Sequence, residues 1–211
     1  MRLVIFGASG ATGTQLVSQA LAGGHQVTAV VRDPARLAIP AHPDLRVVTA
    51  DIMDPASILP AVTGADAVLT AAGPSGTGPT TVIADSVRSI AAAMDKAGTR
   101  RLLAVSGSIV ADEGESFYLR YALKPVARRT FLRHVCADMR EAEAVIAATG
   151  LDWTIVRPPA LTDGPATGRY RTAVERSLPH GFRVSRADLA ACMLSLIGDV
   201  AAVRRHVAVA S

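Results

Sequence analysis

Apolar residues recur along this chain in two periods that take turns from one end to the other. Short dense runs such as Leu3-Val4-Ile5-Phe6 and Val27-Thr28-Ala29-Val30-Val31 read as strands. Longer stretches with apolar residues three and four apart read as helices. The pattern predicts strands over 2–6, 25–31, 45–49, 65–70, 101–105, 153–156 and 206–210. It predicts helices over 11–22, 55–62, 80–97, 137–149 and 186–197. Gly23-Gly24, Gly98 and Gly150 each follow a helix and can end it. Alternating β and α units imply an α/β fold, a parallel sheet with helices on both faces. Right-handed crossovers then give the doubly wound strand order 3-2-1-4-5-6. Ligands of such sheets lie beyond the carboxyl ends of the strands. No repeat, low-complexity tract or linker divides the chain, so residues 1–211 read as one domain. Segments 110–135 and 157–185 are less regular, follow sheet strands and are expected to form lids on the substrate side.

The first strand runs straight into Gly7-Ala8-Ser9-Gly10-Ala11-Thr12-Gly13 and then into a helix. Glycine lets the backbone turn tightly and lets a pyrophosphate approach with no Cβ in the way. The free N–H groups at a helix start then face the anion. The cradle so defined comprises Gly7, Ser9, Gly10, Ala11, Thr12 and Gly13. Its spacing is GxxGxxG rather than the commoner GxGxxG, and an ordinary strand-to-helix turn is the alternative.

The loops after the other strands extend this reading. After the second strand, a carboxylate would favour NAD, whereas arginine suits the 2′-phosphate of NADP. Arg32 comes first there and Arg36 follows one helical turn on; the alternative is two solvated surface charges. Asp33 reads as the cap of a short helix with Pro34 at its first position. After the third strand, Asp51 can accept from an adenine amino group while Ile52 covers the ring, or Asp51 can cap a helix; Asp54-Pro55 fills the capping role better. Ala71, Ala72 and Gly73 let the backbone come close to a cofactor's ribose and pyrophosphate, or form a plain turn. Ser106 and Ser108 follow the fifth strand, where a hydroxyl can reach a nicotinamide ribose or a substrate carbonyl. Arg157-Pro158-Pro159 follows the sixth, where Pro158 can wall the nicotinamide end or simply stop the strand.

Composition narrows the partners. The net charge is +4, and of 22 basic residues only Lys96 and Lys124 are lysines. Aromatics make up 4%, too few for the stacking platforms of a nucleic-acid surface, so an anionic dinucleotide is the simpler partner. No apolar run reaches the roughly 18–20 residues that span a bilayer. The N-terminus is strand-like rather than a signal peptide, which points to the cytoplasm. Cys136 and Cys192 form no CxxC and read as reduced, structural thiols, with no metal site. A small-molecule substrate is expected, with no nucleic acid and no membrane, in a monomer or homodimer.

The ordered set Gly7-Ala-Ser-Gly10-Ala-Thr-Gly13, Val-Arg32-Asp-Pro-Ala-Arg36, Asp51, Ala-Ala-Gly73 and Gly150-Leu-Asp-Trp-Thr-Ile-Val-Arg157-Pro158 carries a resemblance. The chain resembles the atypical short-chain dehydrogenase/reductase proteins that bind NAD(P)H. It is most similar to the branch containing biliverdin reductase B, also called NADPH-dependent flavin reductase. The resemblance covers nearly the whole chain and implies a Rossmann-like fold with NADP(H) as cofactor. The resemblance says less about substrate; the first function expected is an NADPH-dependent reductase that passes hydride to a planar acceptor such as flavin or quinone, with Ser108, Tyr118 and Tyr121 on the acceptor side. Ser108 and Tyr121 are the catalytic candidates.

Two departures qualify that implication. The superfamily's Tyr-x-x-x-Lys is absent: Tyr121 and Lys124 are three apart, and Pro125 follows. Near the expected place stand His134 and Asp138, four apart on one helical face; His134 reads as an acid or as an ordinary histidine. The insert at 110–135 is longer than in that branch, basic and amphipathic, and reads as a solvated face or as a lid over an anionic substrate. A non-catalytic NADP sensor and an isomerase or cyclase on the same scaffold remain the alternatives.

Overall fold

Strand β1 (Arg2–Phe6) shows in miniature how the sheet is built: Leu3 and Ile5 join the core on one face, Val4 and Phe6 the core on the other. Both faces of the strand are buried, which is why its sequence is apolar without alternation. The computed structural model describes residues 1–74, 76, 78–111 and 133–211. After β1 come α1 (Ala11–Ala22), β2 (Gln26–Val31), β3 (Leu45–Thr49), α2 (Pro55–Val62), β4 (Ala67–Thr70), α3 (Val82–Ala97) and β5 (Arg101–Val105). Then follow α4 (Arg133–Ala147), β6 (Asp152–Arg157), β7 (Ala160–Thr162), β8 (Arg171–Val174), β9 (Arg183–Ser185), α5 (Arg186–Ser195) and β10 (Arg205–Ala210).

The main sheet has the order β3-β2-β1-β4-β5-β6-β10-β8, so the expected doubly wound arrangement is the observed one over its first six strands. All pairs from β3 to β10 are parallel, and only the edge pair β10–β8 is antiparallel. Helices α1 and α5 cover one face through Leu16, Val17, Ala20, Leu189, Ala190 and Met193. Helices α2, α3 and α4 cover the other, with Ile58, Val87, Ile90, Met94, Ala142 and Ile146. The fold is a Rossmann-like α/β fold.

Most element ends fall where local chemistry sets them. Asp54 accepts from the Ala56 N–H at 2.9 Å and Pro55 opens α2. Gly98 ends α3 in the left-handed region at φ 71°. Two differences from the sequence reading stand out. Among the described residues, helix α4 already runs from Arg133, four residues before the expected start. The stretch 157–185 also holds three short strands: β7 and β9 pair with each other, while β8 closes the edge of the main sheet. These strands are three or four residues long, and none carries a dense apolar run to betray it.

Candidate functional site

Parallel strands bring the loops that follow them to one edge. The glycine turn after β1, Arg32 after β2, Asp51 and Ile52 after β3, Ala71–Gly73 after β4, Ser106 after β5 and Pro158 after β6 therefore share the carboxyl edge of the sheet. The order reverses between β1 and β4, which is the crevice position of doubly wound folds.

At the turn, Gly7 lies at φ 71°, and a Cβ there would stand 2.7 Å from the Ala71 carbonyl carbon and the Ala72 nitrogen. A Cβ on Gly13 would stand 2.0 Å from the Gly7 oxygen. Both contacts are with backbone, which cannot give way, so each position requires glycine. Gly10 donates to the Gly7 carbonyl at 2.9 Å, closing the turn. It is also the N-cap of α1 and offers no side chain, so Ala11, Thr12 and Gly13 keep their first-turn N–H groups for an outside acceptor. The Thr14 hydroxyl steadies the turn from inside by donating to the Gly10 and Ala8 carbonyls at 3.0 and 3.3 Å.

Beyond β2, Arg32 and Arg36 are both exposed. Asp33 accepts from the Ala35 N–H at 3.0 Å and caps a single 3-10 turn, Pro34–Arg36. Asp51 accepts from the Met53 N–H at 2.9 Å, while Asp54 caps α2. Across the crevice, Ala71 donates to the Phe6 carbonyl, which continues the β1–β4 pairing up to the glycine turn.

On the β5–β6 side, Ser106 donates its N–H to the Val156 carbonyl at 2.9 Å, and Ser108 donates to that of Pro158 at 2.8 Å. Ser106 is 7% exposed, and its hydroxyl has no hydrogen-bond partner. It lines a small recess with Thr70, Ala72, Met139 and Glu143, with room for about one water (about 10 Å³). Tyr118 and Tyr121, and with them most of the 110–135 insert, lie outside the described residues.

Three polar groups near this edge escape a reading by motif. Asp138, buried at 4% exposure, reaches from α4 to the start of α3 and accepts from the Ile83 and Ala84 N–H groups at 3.0 and 2.9 Å. It is therefore a helix cap supplied from another helix. Its neighbour in the expected pair, His134, accepts from Arg133 Nε at 2.9 Å. Glu143 and Arg157 form a two-bond ion pair at 3.0 and 2.6 Å, with 11% and 14% of their side chains exposed. A sequence signal for Glu143 exists: it falls in the stripe Cys136, Met139, Ile146, where helical spacing calls for an apolar residue. A carboxylate there needs a buried cationic partner.

The sequence profile of the NAD(P)H-binding family matches residues 7–200. The chain belongs to this NAD(P)H-binding family. It is 29% identical over 205 residues to YhfK of Bacillus subtilis, named an uncharacterized sugar epimerase, across 94% of this chain and 89% of YhfK. It is similar in fold to the oxidoreductase YlbE of Lactococcus lactis, with TM-score 0.83 and 21% identity over 100% of this chain and 91% of that one. A short-chain dehydrogenase/reductase of Veillonella parvula, solved in complex with NADP, superposes with TM-score 0.80 and 20% identity over 100% and 94% of the two chains. As a family member the chain has NAD(P)H as its cofactor. No helix among the described residues is long and apolar enough to cross a membrane.

Proposed function

We propose that this chain is an NADPH-dependent reductase that passes hydride to a planar acceptor such as a flavin or quinone. The observation that carries the reading is a glycine turn closed to any side chain with two exposed arginines one strand away. In it, the N–H groups of Ala11, Thr12 and Gly13 hold the pyrophosphate, with Ser9 and the glycines giving it room. Arg32 and Arg36 take the 2′-phosphate; Asp51 and Ile52 meet the adenine. Ala71, Ala72 and Gly73 let the chain approach the cofactor at mid-length. The unpartnered Ser106 hydroxyl bonds the nicotinamide ribose, and Pro158 walls the ring. Bound NADPH supplies a hydride at that ring. Ser108 and Tyr121 line the acceptor side, and water supplies the proton. Orientation is then the main contribution of the protein.

A second reading, an isomerase on the same scaffold, is favoured by the name of the Bacillus subtilis relative. Nicotinamide-linked isomerisation of a sugar needs a base to take a hydroxyl proton, and the sequence contains no Tyr-x-x-x-Lys. The reductase reading makes no such demand. The test is NADPH oxidation, followed by absorbance, with FMN, FAD and menadione as acceptors. Turnover with at least one supports the reading. Binding of NADP⁺ and NADPH with equal affinity and no oxidation across the panel contradicts it and points to a sensor.

A further inference from the structure

The Glu143–Arg157 pair is unusual in this molecule because it is buried and two-pronged. A buried pair adds little net stability, since desolvating both charges offsets most of their attraction. What it does add is geometry: a guanidinium fork on a carboxylate fixes distance and plane together. Arg157 stands between the two residues whose carbonyls carry the loop after β5. Val156 accepts from the Ser106 N–H and Pro158 accepts from the Ser108 N–H. Glu143 lines the same recess as Ser106, whose hydroxyl has no partner among the described residues. Behind the pair, His206 Nε2 lies 3.8 Å from Glu143 Oε2, its Nδ1 lies 3.5 Å from Glu175 Oε2, and its ring meets Trp153 edge-on at 5.3 Å. Helix α4, strand β6 and the β10–β8 edge are thus joined through Glu143, Arg157 and His206.

We propose that Glu143 and Arg157 are positioning residues for the nicotinamide end of the cofactor site. The pair fixes segment 156–158, that segment holds Ser106 and Ser108, and the serines seat the nicotinamide ribose and the acceptor. This rests on the cofactor placement given above. The pair acts on one end of the cofactor only: β6 stands three strands from β1, roughly 14 Å at about 4.8 Å per strand. The glycine turn and Arg32 lie outside its reach.

The test compares the wild-type chain with Glu143→Gln, Arg157→Lys and the neutral double variant Glu143→Gln/Arg157→Met. Each is measured for thermal unfolding, for NADPH affinity and for the fluorescence lifetime of bound NADPH, which reports how firmly the nicotinamide is held. In the variants NADPH affinity stays within about threefold of wild type, because the charged anchors sit at the adenosine end. The lifetime of bound NADPH falls toward that of the free cofactor. With FMN as acceptor, the single-turnover rate of hydride transfer drops roughly 10- to 100-fold, while the steady-state KM for NADPH is unchanged. The double variant leaves no buried charge unpaired, so it folds even where a single variant does not. A wild-type lifetime in the folded variants overturns the proposal. So does a loss of affinity that accompanies the loss of lifetime, since that marks a structural role. A wild-type chain that shows no lifetime change with NADPH refutes the cofactor placement instead. A wild-type chain that shows the change but transfers hydride to none of FMN, FAD and menadione refutes only the reductase reading.

Discussion

A single methyl group at Gly13 is enough to break the turn proposed to hold the phosphates. An alanine Cβ would sit 2.0 Å from the Gly7 oxygen, about half a normal van der Waals separation, so Gly13→Ala is expected to abolish NADPH binding in a fluorescence titration. Binding at wild-type affinity would show that the turn is not the cradle. The sequence identified this turn because glycine is the only residue that fits it. The arginines are different, because their number says little about their task. Arg101 donates to the Ile197, Leu196 and Asp152 carbonyls, and Arg204 to those of Gly150 and Leu151. These side chains close a helix end and loops at the amino ends of β5 and β6, so part of the basic excess is structural rather than reserved for an anion. Cys192 is fully buried and burial pushes its thiol up to about 12. Cys136 is buried as well. Neither thiol is expected to react with a disulfide reagent until the chain unfolds; prompt labelling of the native protein would contradict that.

Elements with strong internal signals were legible, and elements held by remote partners were not. Strand β3, helix α2 and strand β5 lie where the periodicity and the Asp54-Pro55 cap put them. Helix α3 has no capping side chain at Thr81; the Thr80 hydroxyl accepts from the Val82 N–H at 3.2 Å, while the Ile83 and Ala84 N–H groups are capped by Asp138, which is 54 residues away from Ala84. No local pattern announces such a cap. Asp138→Ala is expected to cost about 1–2 kcal/mol, the range for a lost N-cap, in chemical denaturation. A change near zero would mean that Asp138 does not hold α3. Asp188 does the same for the loop before β8. Burial would push its carboxyl up, but the Thr167 hydroxyl, the Gly168 and Thr167 N–H groups and the Ser185 hydroxyl together hold it below the usual value of 3.8. A carboxylate lowered on folding stabilises the fold above its ordinary pKa, and that stabilisation is lost as pH falls through the lowered one. Asp188→Asn is therefore expected to be less stable than wild type at neutral pH, with the gap closing in strong acid. A pH-independent gap would contradict this account.

At the scale of the whole molecule, the doubly wound order was readable because alternating β and α units and right-handed crossovers leave few choices. The far edge was not, because β8 and β10 join through Arg171–Val174 and Arg205–Ala210, short strands brought together from either side of α5. The same topology assembles the candidate site: six loops from separate stretches of sequence meet at one edge, and Gly7, Ala71 and Ser106 become neighbours or near neighbours through strand order rather than through any contiguous motif. The Glu143–Arg157 pair falls in the gap between these levels, since helical spacing exposes Glu143 as anomalous but only the fold supplies its partner. The central claim is that this edge is an NADPH site with Arg32 reading the 2′-phosphate. Calorimetric titration of NADPH and NADH into the wild-type chain and into Arg32→Ala tests it most directly. The account predicts tighter binding of NADPH by the wild type and a loss of roughly 1–3 kcal/mol for NADPH in the variant, with NADH little changed. Equal losses for the two cofactors would contradict it.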